Sequence, residues 1–195
     1  MMDDRTILRQ PVALSGIEDD TRMLGFGMGG ERMVGSLLRT LAKSKGKGRF
    51  LELGTCTGLS TAWILDGMSP DLTLVTLDND RTVLDVAERH LGNDPRLKIV
   101  CEDGDRFILD LFANGARFDF IFADTWSGKY RLLVETLELL DKNGFYIIDD
   151  MLPQPNWPEG HPLKVKDLLE SLDGNPSLQV TKLGWSSGVV IVTKD

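Results

Sequence analysis

The chain has 195 residues, 42% of them apolar and 27% charged, with a net charge of −8 at pH 7. It is long enough to bury a core without covalent staples and too apolar to be a disordered polymer. The acidic balance argues against a nucleic-acid partner, because phosphate neutralisation is what drives such binding.

No apolar run approaches the ~20 residues that span a bilayer. The opening MMDDRTILRQ lacks the basic and apolar regions of a signal peptide. Cys56 and Cys101 offer neither a disulfide framework nor metal-ligand spacing. The chain reads as one cytoplasmic domain, residues 1–195, with no membrane partner.

Residues 1–30 form a polar, Gly-rich leader, and the pattern then predicts an amphipathic helix over Gly30–Lys43. KSKGKGR, Lys43 to Arg49, reads as a solvated connector closing that helix. Strands are predicted at Arg49–Gly54, Thr73–Asp78, Leu97–Cys101, Phe118–Asp124 and Gly144–Asp150. Helices are predicted between them at Leu59–Gly67, Arg81–Leu91, Asp105–Ala113 and Lys129–Leu140. Apolar strands without clean alternation suit a parallel sheet covered on both faces, and alternating strand and helix gives a doubly wound α/β fold. After a helix near Leu163–Leu172, Ser177–Leu183 and Val189–Thr193 flank GWSSG, which signals an antiparallel hairpin.

In open α/β sheets, ligands bind beyond the C-terminal ends of the strands. Those ends are acidic here: Glu52 before Gly54-Thr55-Cys56-Thr57-Gly58, then Asp78, Glu102-Asp103-Gly104-Asp105, Asp124 and Asp149-Asp150. Asp78, with Asn79 beside it, is placed for a ribose diol or to N-cap the next helix. The Gly54–Gly58 spacing is not the dinucleotide pattern, and Glu52 would repel a pyrophosphate. A ligand with a cationic group fits better.

The ELGTCTGLS loop, Asp78, FDFIFADTWSGKY and YIIDDM together resemble class I S-adenosylmethionine-dependent methyltransferases. The nearer resemblance is to metal-dependent O-methyltransferases of the catechol and caffeoyl-coenzyme A type. It implies a seven-stranded Rossmann-like sheet, mostly parallel, with a C-terminal antiparallel hairpin and helices on both faces. It also implies S-adenosylmethionine held by Glu52, Gly54, Thr55, Gly58, Ser60, Asp78, Asn79, Asp103, Gly104 and Asp124. Trp126 would flank the adenine, or else be a core aromatic. Met28, Gly29 and Gly30 would close over the cofactor, or else form a flexible loop.

By the same resemblance, Asp124, Asp149 and Asp150 are metal ligands. All-carboxylate donors suit Mg²⁺ foremost, with Ca²⁺ or Mn²⁺ as alternatives. Successive strand residues face opposite ways, so Asp149 and Asp150 can share an ion only if the strand ends there. The lysine that catechol-type enzymes carry three residues after the first metal aspartate is Ser127 here. Catalytic candidates are therefore Asp124, as ligand and base, Lys129, which otherwise starts an exposed helix, and His161. Pro153–Pro162, with Trp157, reads as an acceptor-side loop or a rigid connector.

The expected activity is O-methylation of a small acceptor bearing a catechol-like, phenolic or sugar hydroxyl, with a homodimer left open. A tRNA methyltransferase, a cofactor-binding protein without methyl transfer and a nicotinamide dehydrogenase are the competing readings.

Overall fold

The strand β1 (Gly48–Leu53) forms because Phe50, Leu51 and Leu53 have no exposed surface and need cover on both faces. The computed structural model describes residues 3, 6, 7, 9–27 and 31–195, in two compact units, 1–102 and 103–195.

In the first unit, β1 pairs in parallel with β2 (Leu72–Asp78), and β2 in parallel with β3 (Leu97–Cys101). Between them run α3 (Leu59–Gly67) and α4 (Arg81–Leu91). The residues of α3 are buried almost all round: Thr61, Ala62, Trp63, Ile64, Leu65 and Gly67. It packs against α2 (Arg32–Ser44), where a Cβ on Gly35 would lie 2.3 Å from Trp63 Cδ1. Asp80 N-caps α4 by accepting the Thr82 N–H at 2.8 Å.

One helix was not expected within the leader. α1 (Leu14–Met23) buries Leu14, Ile17 and Thr21 and packs on α3 and α4. Gly16, Asp19 and Asp20 dilute its pattern to three buried positions. Asp20, tied to Arg89 and His90, holds it to α4.

In the second unit, α5 (Gly104–Ala113) precedes β4 (Phe118–Ala123), and α6 (Leu133–Leu139) leads into β5 (Leu140–Ile148). α7 (His161–Asp173) is followed by β6 (Leu178–Leu183) and β7 (Val189–Lys194). β4 and β5 are parallel, whereas β7 is antiparallel to both β5 and β6, as the tail pattern predicts. The order β3-β2-β1-β4-β5-β7-β6 gives the expected seven-stranded, mostly parallel sheet.

The helix predicted over Lys129–Leu140 is wrong at its start. Gly128 donates its N–H to Arg131 O at 2.8 Å, and Leu132 has φ +56°. The chain turns twice before helical geometry can begin at Leu133. β5 correspondingly starts at Leu140 rather than Gly144.

Candidate functional site

In the first unit the turn between β1 and α3 is bound inward by its own side chains. Gly54 and Gly58 have φ of +103° and +93°, conformations that side-chain-bearing residues adopt at a cost. The Gly54 and Thr55 N–H groups both donate to Leu77 O, which fixes the turn against the end of β2. Thr76 donates to Glu52 Oε2 at 2.6 Å and Thr61 to the same oxygen at 2.5 Å. Because the Thr76 proton is committed, Thr55 donates to Thr76 Oγ1, at 2.6 Å. On the other side, Thr57 meets Thr21 of α1 at 2.8 Å.

Glu52 is fully buried, and burial pushes its carboxyl up to about 6 against hydrogen bonds from Ser60, Thr61 and Thr76. Its Oε1 has no hydrogen-bond partner among the described residues. A buried carboxylate with an open oxygen is set to meet a donor or a cation. Asp78 lies at the end of β2; its Oδ2 accepts the Cys56 N–H at 2.9 Å and its Oδ1 the Asp80 N–H at 3.1 Å. These bonds orient the carboxylate while each oxygen retains acceptor capacity. Asn79 follows, its carbonyl 4.0 Å from the Cys101 thiol. Met28, Gly29 and Gly30 lie outside the described residues.

In the second unit, Asp103 N-caps α5 by accepting the Arg106 N–H at 3.0 Å, and Gly104 opens that helix. Asp124 directly follows β4. The position of the expected lysine belongs to a structural network: Ser127 Oγ accepts from Arg131 Nη2 at 3.0 Å, and Arg131 Nε donates to Asp105 at 2.6 Å. Burial raises the Asp105 carboxyl, but hydrogen bonds from Ser127 and Arg131 outweigh it and hold the group below its usual range.

Lys129 is a correction to the exposed-helix alternative: it is only 3% exposed, and its Nζ donates to Asp149 O at 2.6 Å. Tyr130 sits beneath that ammonium, 5.4 Å from Nζ to ring centroid, and its hydroxyl is 3.0 Å from His161 Nε2. Burial, with Asp150 and Asp124 nearby, raises the Tyr130 phenol. Burial also lowers His161, which Asp150 opposes and Lys129 and Lys164 reinforce. His161 Nδ1 is buried without a partner among the described residues. Trp157 stacks on His161 at 4.3 Å and donates its indole N–H to Asp150 Oδ2 at 3.0 Å. Trp126 is 39% exposed and meets Tyr130 and His161 edge-on, so it is not a core aromatic.

The strand does end where a shared ion would require, since β5 stops at Ile148 and Asp150 has φ +61°. The three carboxylates nevertheless do not converge. Among the described residues, no three Asp, Glu, His or Cys side chains are placed to hold a metal ion. Asp149 Oδ1 is already an acceptor for Ser187 Oγ and for the Asp150 N–H. Burial raises Asp149, while those bonds and Lys129 counter it. As placed, the Asp124, Asp149 and Asp150 side chains do not assemble a divalent-ion site.

Sequence reasoning missed Thr61 and Thr76. The available signal was a threonine two residues before the acid that closes the apolar strand LTLVTLD, and another in the first turn of α3.

A glycine turn after β1 and an oriented acid at the end of β2 lie at the strand ends, where doubly wound α/β proteins bind their ligands. The family model described as O-methyltransferase matches residues 21–194, and the chain belongs to that family. A curated relative from Mycobacterium ulcerans, designated an O-methyltransferase, is 45% identical over 56 residues. That match covers 29% of this chain and 25% of the relative, so it spans only about a quarter of the relative's length. An O-methyltransferase from Bacillus cereus, solved in complex with SAH, superposes with a TM-score of 0.85 at 18% identity, over 97% of this chain and 94% of that one. TomG from Streptomyces achromogenes, involved in tomaymycin synthesis and solved with SAM, gives 0.80 at 21% identity, over 96% and 92%. Both structural likenesses concern the fold.

Proposed function

We propose that the chain transfers a methyl group from S-adenosylmethionine to a hydroxyl of a small molecule. The observation that carries this reading is Glu52, a fully buried carboxylate with an open oxygen beside a two-glycine turn. The donor's methionine ammonium and sulfonium supply the positive charge that such a group lacks. Asp78, oriented by the Cys56 and Asp80 N–H groups, supports a ribose diol.

In the reaction, the acceptor oxygen bonds to the methyl carbon as the S–CH₃ bond breaks. The electron pair stays on sulfur, giving S-adenosylhomocysteine, and the hydroxyl proton passes to a base. His161 is the base we favour: burial keeps it neutral, Nε2 pairs with the Tyr130 hydroxyl, and Nδ1 is open. Asp124 is the second candidate. The stacked Trp157–His161 pair offers a flat face to a phenolic or sugar ring. A divalent cation, when bound, would stabilise the acceptor's oxyanion. No step is assigned to one, because Asp124, Asp149 and Asp150 do not converge.

Isothermal titration with S-adenosylhomocysteine, S-adenosylmethionine and NAD tests the donor. Both sulfur nucleosides should bind and NAD should not. If neither binds, the proposal is lost. A labelled-methyl screen over catechols, phenols, sugars and tRNA then identifies the acceptor, and methylation of tRNA alone would refute the small-molecule assignment.

A further inference from the structure

We propose that Lys129 is a built-in cation of the acceptor site, occupying the place of a divalent ion and offering its free N–H groups to the acceptor oxygen. This rests on the methyl-transfer reading above and goes beyond it. An ammonium has three donors. Among the described residues that of Lys129 makes one hydrogen bond, to Asp149 O, although the side chain is 3% exposed. Its other two N–H groups have no hydrogen-bond acceptor among the described residues, and on so buried a side chain a ligand or water is needed to complete them.

The surroundings suit an oxygen ligand. His161 Nδ1 is likewise buried and open, and Tyr130 lies between the two, its ring under Nζ and its hydroxyl on Nε2. Asp149 supplies negative charge beside the ammonium, and Lys129 in turn favours the charged form of Asp149.

The position also follows from the chain. At the usual lysine position, Ser127 is engaged with Arg131 and Asp105. The turn at Gly128 then sends Lys129 back under the end of β5 rather than into solvent. A purely structural strut would make the same hydrogen bond to Asp149 O, so the test must read charge and metal affinity.

Mn²⁺ binding is measured by electron paramagnetic resonance on the full chain loaded with S-adenosylhomocysteine. Wild type and Lys129→Arg should show no saturable site up to about 1 mM. Lys129→Met, which leaves the carboxylates uncompensated, should bind Mn²⁺ at least tenfold more tightly. Equal Mn²⁺ binding by wild type and Lys129→Met, whether tight or absent, overturns the proposal. So does binding by Lys129→Arg that matches Lys129→Met. Unchanged S-adenosylhomocysteine affinity in each variant shows that the fold and the donor site are intact. With the acceptor found by the screen, wild-type turnover should survive EDTA within twofold, and Lys129→Met should lose at least a hundredfold in kcat. Loss of wild-type turnover in EDTA with recovery in Mg²⁺ also refutes the inference. A failure of donor binding would refute the methyl-transfer reading instead.

Discussion

Replacing Glu52 by Gln isolates the cost of keeping a carboxylate inside the first unit. In the folded protein, burial raises Glu52 from its ordinary 4.5 to about 6. At 1.36 kcal/mol per pKa unit, that is a penalty of about 2 kcal/mol once the group is ionised. The folded state binds the proton more tightly than the unfolded state. Stability from this group is therefore full below about pH 4.5 and lost as pH rises through about 6. Glu52→Gln cannot ionise, yet keeps an oxygen for Thr61 and Thr76. For a chain of this length about 2 kcal/mol corresponds to roughly 4–8 °C in Tm. Thermal melts of both proteins from pH 4.5 to 7.5 should show the variant gaining on wild type by that amount across the interval. Any constant offset from the unpaired amide does not change with pH.

The same substitution should weaken S-adenosylmethionine by about 10- to 100-fold, the loss of a charge-assisted hydrogen bond. Near pH 6, donor binding by wild type should also release a proton, seen as a buffer-dependent calorimetric heat that Glu52→Gln lacks. A Tm gap flat across pH, or unchanged donor affinity, would show that Glu52 is neither strained by burial nor turned toward the donor.

Two glycine substitutions test the frame around that carboxylate. Gly58→Ala introduces a left-handed non-glycine residue with its Cβ 3.0 Å from Ala87 Cβ, so it should cost about 1–2 kcal/mol in urea unfolding and weaken S-adenosylhomocysteine in calorimetry. An unshifted midpoint would mean that the turn relaxes freely. Gly35→Ala drives a methyl against the face of Trp63 between α2 and α3, away from the turn. It should lower stability by about 1–3 kcal/mol while leaving the donor affinity of the folded protein near wild type. A selective loss of donor binding would place the α2–α3 interface in the donor site.

Most of the sheet was legible because its strands are short apolar runs closed by acids and glycines, a local signal. α3, α4 and β3 have the predicted limits. α1 was obscured because only Leu14, Ile17 and Thr21 are buried, too few to stand out from a polar leader. In the second unit, two positive-φ residues between β4 and α6, Gly128 and Leu132, hide the true start of the helix from periodicity.

The sequence by itself determined the doubly wound fold, the GTCTG turn and the acids that end the strands, because residue type and spacing encode each of them locally. Only the tertiary structure decided where Lys129 goes and whether Asp124, Asp149 and Asp150 meet. Those outcomes depend on hydrogen bonds between distant segments. Tyr146 donates to Gly128 O across a separation of 18 residues and Lys129 to Asp149 O across 20. A pattern of types can place a lysine in a turn, but burial and the partners brought to it determine the direction of its ammonium.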